Sequence, residues 1–170
     1  NWLDHDQSVT YTISFDAQSG DDAAQPKQLT ITINGQNDVA VITVTDPAAV
    51  TEADSGPALV SATVADHVSI VDADSQDAAA PTDYVAGSGS VLASGPTPPA
   101  GTLAGLFTFD PATGNYSFDR AAFNWLDHDQ SVTYTISFDA QSGDDAAQPK
   151  QLTITINGQN DVAVITVTDP

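Results

Sequence analysis

Apolar and polar residues alternate strictly along several short runs of the chain. In VTYTISF (132–138), Val132, Tyr134, Ile136 and Phe138 fall on one face, and Thr133, Thr135 and Ser137 on the other. LTITI (152–156) repeats the pattern. A period of two is the signature of a strand with one buried face. VAVITVT (39–45) and ALVSATV (58–64) are apolar and β-branched, and VSIVD (68–72) follows closely. TLAGLFTF (102–109) leads through DPATGN, a Pro-then-Gly turn, into YSF (116–118). Tyr84 and Val91-Leu92 flank a loose stretch, and the Gly/Ser/Pro-rich residues 86–102 read as a long surface loop or a weak edge strand. No segment carries a 3.6-residue period. Short alternating strands separated by turn signals predict an all-β, antiparallel sandwich.

The pattern also repeats at a larger scale. Residues 1–47 and 124–170 are identical at an offset of 123. A period of that size is a whole domain, not a solenoid repeat of roughly 20–50 residues. The pentapeptide NGQND, at 34–38 and again at 157–161, lies between LTITI and VAVITV. Asn-Gly between two alternating runs is a strong hairpin signal. The exact repeat favours a different reading, in which NGQND joins two beads of a string.

Composition narrows the function. The formal charge is −20, against three basic residues, Lys27, Arg120 and Lys150. Such a chain repels nucleic acid and anionic lipid. Of 23 acidic residues one is Glu52, so 22 are Asp. Asp suits turns and is a common calcium ligand; a salt-adapted surface is the plainer reading. With no Cys, disulfides and thiolate sites are excluded. No apolar run approaches the roughly 18–20 residues that span a bilayer. No signal peptide is visible, and NWLDHDQ reads as the middle of a longer chain. The three His show no metal-ligand spacing, no G-x-S-x-G elbow is present, and no feature marks a two-carboxylate cleft; the expectation is that the chain is no enzyme.

Four motifs then carry a family resemblance: VDADSQD (71–77), WLDHD (125–129), SFDAQSGD (137–144) and ITINGQND (154–161). In this order and spacing they resemble the VCBS-type, cadherin-like tandem repeats of large bacterial surface adhesins of the RTX, biofilm-forming type. The resemblance implies a Greek-key, cadherin-like or immunoglobulin-like sandwich. It places one complete repeat at 38–160. Residues 1–37 are then the last two strands of a preceding repeat, and 161–170 the opening strand of the next. It further implies an extracellular extender module at the bacterial cell surface, rigidified by calcium, supporting adhesion and biofilm formation. An alternative is that the repeat itself adheres, by homophilic or polysaccharide contact.

By the same resemblance, calcium at the lower joint would use Glu52, Asp127, Asp129, Asn160 and Asp161. At the upper joint it would use Asn37, Asp38, Asp72, Asp74 and Asp139, with Asp4 and Asp6 from the preceding fragment. This pattern departs from the family where Gly35 and Gly158 stand for the first linker Asp and His128-Asp129 for Arg-Glu, which implies one or two ions per joint. Asp21-Asp22 and Asp144-Asp145 read as solvated hairpin tips, and the Trp residues at 2 and 125 as plugs beside Phe123. The expected partners are neighbouring identical repeats, with no nucleic acid and no membrane insertion. Either copy of the closing hairpin could complete the same sandwich, so a domain-swapped dimer is possible. Within one chain 124–160 should win, leaving 1–37 poorly ordered or paired with another molecule.

Overall fold

The computed structural model describes residues 3–54, 58–74, 81–161 and 166–167. Trp2, the end of the VDADSQD stretch and most of the 161–170 segment lie outside them. Among the described residues the regular elements are strands, joined by short 3-10 turns. β1 (Ser8–Ala17) and β2 (Gln25–Asn34) form an antiparallel hairpin of their own. From β3 (Val41–Val44) onward the chain builds a two-layer sandwich.

One layer is centred on β11 (Ser131–Ser142) and β12 (Gln148–Asn157). β8 (Ser90–Ser94) and β7 (Pro81–Thr82) pair with β11, and the two-residue β4 (Val50–Thr51) runs parallel to the end of β12. The facing layer is β5 (Leu59–Thr63), β10 (Asn115–Asp119) and β9 (Phe107–Asp110), in that order. A 3-10 turn at Val64–His67 leads from β5 into β6 (Val68–Val71), which pairs with β3. The chain crosses between layers from β8 to β9 and from β10 to β11, a Greek-key connection.

The predicted alternation is what fills the core. Val132, Tyr134, Ile136, Phe138, Leu152, Ile154 and Ile156 all point inward and are buried. Phe107 stacks on Tyr134 with ring centroids 4.3 Å apart, bridging the layers, and Phe118 and Phe123 close around them. Burial pushes the Tyr134 hydroxyl up to about 12; it donates to the Leu103 carbonyl at 2.7 Å. Trp125 packs against this core beside the fully buried Phe123 and donates through Nε1 to Ala122 O at 3.1 Å.

Two elements differ from the sequence reading. The expected strand over 102–109 starts only at Phe107, because Leu103–Leu106 is a 3-10 turn capped by the Thr102 hydroxyl, which accepts from Gly105 N at 3.3 Å. The N-terminal hairpin, expected to be poorly ordered or paired elsewhere, forms in full. Its register is that of β11–β12 shifted by 123, from Ser8↔Asn34 to Ala17↔Gln25. It does not enter the core: Tyr11 is 52% exposed and Ile13 50%, where their counterparts Tyr134 and Ile136 are at 0%.

Candidate functional site

At 34–38 NGQND is not a hairpin turn. β2 pairs with β1 and β3 with β6, so the strands that flank 34–38 never meet. Neither Gly35 nor Gly158 has a positive φ. Both are glycine because of a close approach. A Cβ on Gly35 would strike the Asp4 carbonyl, and one on Gly158 the Asp127 carbonyl. The WLDHD turn therefore sits on the pentapeptide, with Gly35 N donating to Gln7 O at 2.9 Å and Gly158 N to Gln130 O at 3.0 Å. Each joint is thus built from the turn before β1 or β11 and the segment after β2 or β12.

At the upper joint the structure gathers acidic residues from four segments. Asp74 is fully buried; its Oδ2 accepts from Asp38 N at 2.7 Å, and its own N–H donates to Asp72 Oδ1 at 3.0 Å. Ser142 Oγ donates to Asp72 Oδ2 at 2.6 Å. Asp145, 5% exposed, accepts from Asn37 Nδ2 at 2.6 Å and from Ala40 N at 2.7 Å. Asp4, in the first WLDHD turn, is also buried and accepts from Gln7 Nε2 at 3.0 Å. His5 Nε2 lies 3.4 Å from both Asp6 and Asp144.

Asp145 is the residue that sequence reasoning missed. Asp144-Asp145 read as a solvated tip, and Asp144 is exposed as expected. Asp145 instead ties the turn after β11 to the linker. Asp139 does not join the group. It lies on the outer face of β11, its N–H donating to Ser88 Oγ at 2.9 Å, whereas Ser142, which reaches Asp72, is on the inner face. The signal was the phase of the strand: 139 and 142 are an odd number of residues apart, so they point to opposite faces.

The lower joint is built around Glu52, 3% exposed. Its Oε1 accepts from Gln159 N at 2.7 Å, and its backbone N–H donates to Asn157 O at 2.9 Å. Its Oε2 is buried without a hydrogen-bond partner among the described residues. Burial holds this carboxyl above the usual range; the Gln159 N–H pulls it down, and the Asp161 and Asp54 charges raise it further. Gln159 Nε2 also donates to Asp54. Asp127, Asp129 and Asn160 lie at the same end near the surface, and Asn160 Nδ2 donates to Asp161 O at 3.3 Å. Asp127 and Asp4 are the same residue of the same turn, yet Asp4 is buried and Asp127 is exposed.

Among the described residues no three His, Cys, Asp or Glu side chains form a ready-made metal cage. The donor chemistry nevertheless fits a hard cation. The joints offer carboxylate, amide and backbone oxygens, which calcium takes in sets of six to eight. A buried carboxylate oxygen with no donor is the kind of ligand such an ion satisfies, because burying an uncompensated charge is costly.

No family model matches the chain, and no curated protein matches it. Among solved structures it is similar to one described as the protocadherin gammaB7 EC3-6 cis-dimer, at 15% sequence identity and a TM-score of 0.44. The match covers 89% of this chain and 32% of the other, so the chain spans about a third of that protein's length.

Proposed function

We propose that this chain is a segment of a tandem-repeat stalk. Residues 38–160 form one bead, 1–37 close the bead before it, and 161–170 open the next. The stalk is extracellular, part of a bacterial surface adhesin, and it extends a binding region away from the cell to support adhesion and biofilm formation. Its role is mechanical, not catalytic. The observation that carries this reading is Glu52, whose buried Oε2 lacks a donor at the point where one sandwich hands over to the next.

Each described joint is half of a calcium site. The lower one has Glu52, Asp54 and Asp161. The upper one has Asp4, Asn37, Asp38, Asp72, Asp74 and Asp145. Superposed through the 123-residue repeat, the halves supply carboxylates from both sides of NGQND. Between beads linked by so little chain, independent motion is the default. An ion bonded from both sides removes that freedom, and it offsets part of the repulsion within a chain of charge −20.

Thermal melting and small-angle scattering, each with calcium and with chelator, test the proposal. Calcium should raise the Tm and lock the spacing of hairpin and sandwich. An unchanged Tm together with an unchanged scattering profile on chelation would remove calcium from the joint.

A further inference from the structure

Residues 40–52 run alongside β12 in the same direction. The short β4 pairs with the end of β12 in parallel, Val50 opposite Ile156 and Thr51 opposite Asn157. Nearer the upper joint β3 is laddered to β6 instead, and side chains bridge the gap to β12. Gln148 Nε2 donates to Ala40 O at 3.0 Å, and Lys150 Nζ to Ile42 O at 2.9 Å. Asp46 Oδ1 accepts from Thr153 N at 2.7 Å. At the lower end Glu52 N donates to Asn157 O at 2.9 Å, and Gln159 N donates to Glu52 Oε1 at 2.7 Å. These bonds follow one another along the whole length of β12.

The placing of positive charge is an independent observation. Between 38 and 160, in a strongly acidic chain, the basic residues are Arg120 and Lys150. Both donate to backbone carbonyls of this one segment. Lys150 holds Ile42 O near its upper end, and Arg120 Nη1 holds Thr51 O at 2.9 Å near its lower end. A charged donor makes a hydrogen bond roughly twice as strong as a neutral one. A carboxylate partner would hold a side chain; a carbonyl partner holds the main chain, which is what transmits tension.

Direction decides what these bonds resist. The chain enters the bead at the upper end, through Asn37 and Asp38, and leaves at the lower end, through Gly158 and Gln159. Tension along the bead therefore pulls 40–52 upward and β12 downward. Two parallel neighbours pulled from opposite ends are in shear, so the bonds between them are loaded together. Pulled apart from one end, the same bonds would be loaded one at a time.

We infer that residues 40–52 and β12 form a shear clamp that sets the mechanical strength of the bead, with Lys150 and Arg120 as its charged links. The inference rests on the stalk reading for the source of the tension, not for the geometry of the clamp.

Single-molecule stretching of the full chain tests this, with cysteine handles in a protein that has no native Cys. Gln36→Cys with Asn160→Cys, both at exposed positions, pulls the two segments in shear. Gln36→Cys with Ala147→Cys, exposed just before β12, peels them from one end. In chelator the shear pair should unfold at a several-fold higher force than the peeling pair. Lys150→Met should lower the shear force by more than Ile136→Ala does, although Ile136→Ala should lose more stability in urea. Forced unfolding follows the unfolding rate and not the equilibrium stability, so this reversed order marks a load-bearing bond. Equal forces in the two geometries, or a Lys150→Met variant that lowers the force no more than Ile136→Ala, would overturn the inference. Both geometries are read in chelator on one bead, so failure here leaves the calcium joint untouched, and a joint without calcium leaves the clamp standing.

Discussion

Glu52 behaves unlike most carboxylates because its surroundings disfavour its charge. Its folded-state pKa is raised, chiefly by burial and then by the Asp161 and Asp54 charges, against the Gln159 N–H that lowers it. The folded protein therefore holds this proton more tightly than the unfolded chain does. The resulting penalty is present above the raised pKa and is relieved as pH falls through it, so this group adds stability on mild acidification. Without calcium, Glu52→Gln removes the charge and should raise stability at pH 7 by on the order of 1 kcal/mol, a few degrees of Tm. The variant should also flatten the pH dependence between neutral and mildly acid pH, and lose most of the calcium response. Melts at several pH values, with calcium and with chelator, check all three outcomes. Asp145 is the opposite case, a satisfied acceptor. Asp145→Ala leaves the buried Ala40 N–H and Asn37 amide without their partner, and should cost on the order of 1–3 kcal/mol in urea unfolding. The family resemblance made Glu52, Asp72 and Asp74 candidates from the sequence alone. Asp145 was not legible, because a pair of Asp after Gly143 looks the same whether it faces water or folds back onto the linker. The motif put Asp139 beside Asp72, whereas the phase of β11 turns 139 outward and 142 inward.

At the scale of elements, the two hairpins are a controlled experiment supplied by the sequence. They share residues and register and differ only in what covers them. Ile136→Ala, in the core, should destabilise the sandwich by about 2–5 kcal/mol. Ile13→Ala, the same change in the same local sequence, should stay within about 0.5 kcal/mol. Urea midpoints of the two variants check the difference; equal losses would mean that the N-terminal hairpin shares the core. Strand propensity and alternation are local, which is why β11, β12 and the all-β class could be read directly. Choosing the hairpin that fills the core took a topological argument, the short step from YSF to VTYTISF. The Leu103–Leu106 turn escaped because Thr102 can either continue a strand or cap a turn, and its apolar neighbours are silent on which.

At the scale of the whole molecule, two effects of calcium must be separated. With a charge of −20, any cation stabilises the compact state by screening. That effect depends on ionic strength, is already large near 0.15 M, where the Debye length is about 8 Å, and does not distinguish sodium from calcium. A bound ion follows mass action instead, adding about 2.7 kcal/mol at a hundred times its Kd. In roughly 0.15 M sodium chloride, millimolar calcium should therefore raise the Tm by several degrees, while the same increment of ionic strength from sodium chloride should raise it by less than about one degree. Magnesium should fall between them, because it keeps its waters and demands a near-octahedral set that a joint split between two beads does not offer. On the proposed reading each end of the sandwich is a half-site, and lengthening the chain by one further 123-residue repeat would bring Glu52, Asp161 and a following Asp72–Asp74 loop to one joint. The calcium-dependent Tm gain should then exceed that of the present chain, and the maximum dimension seen by scattering should grow by at least the roughly 30 Å length of a ten-residue strand. A gain that matches the sodium control at both lengths would assign the effect to screening and leave the joint as a purely covalent link.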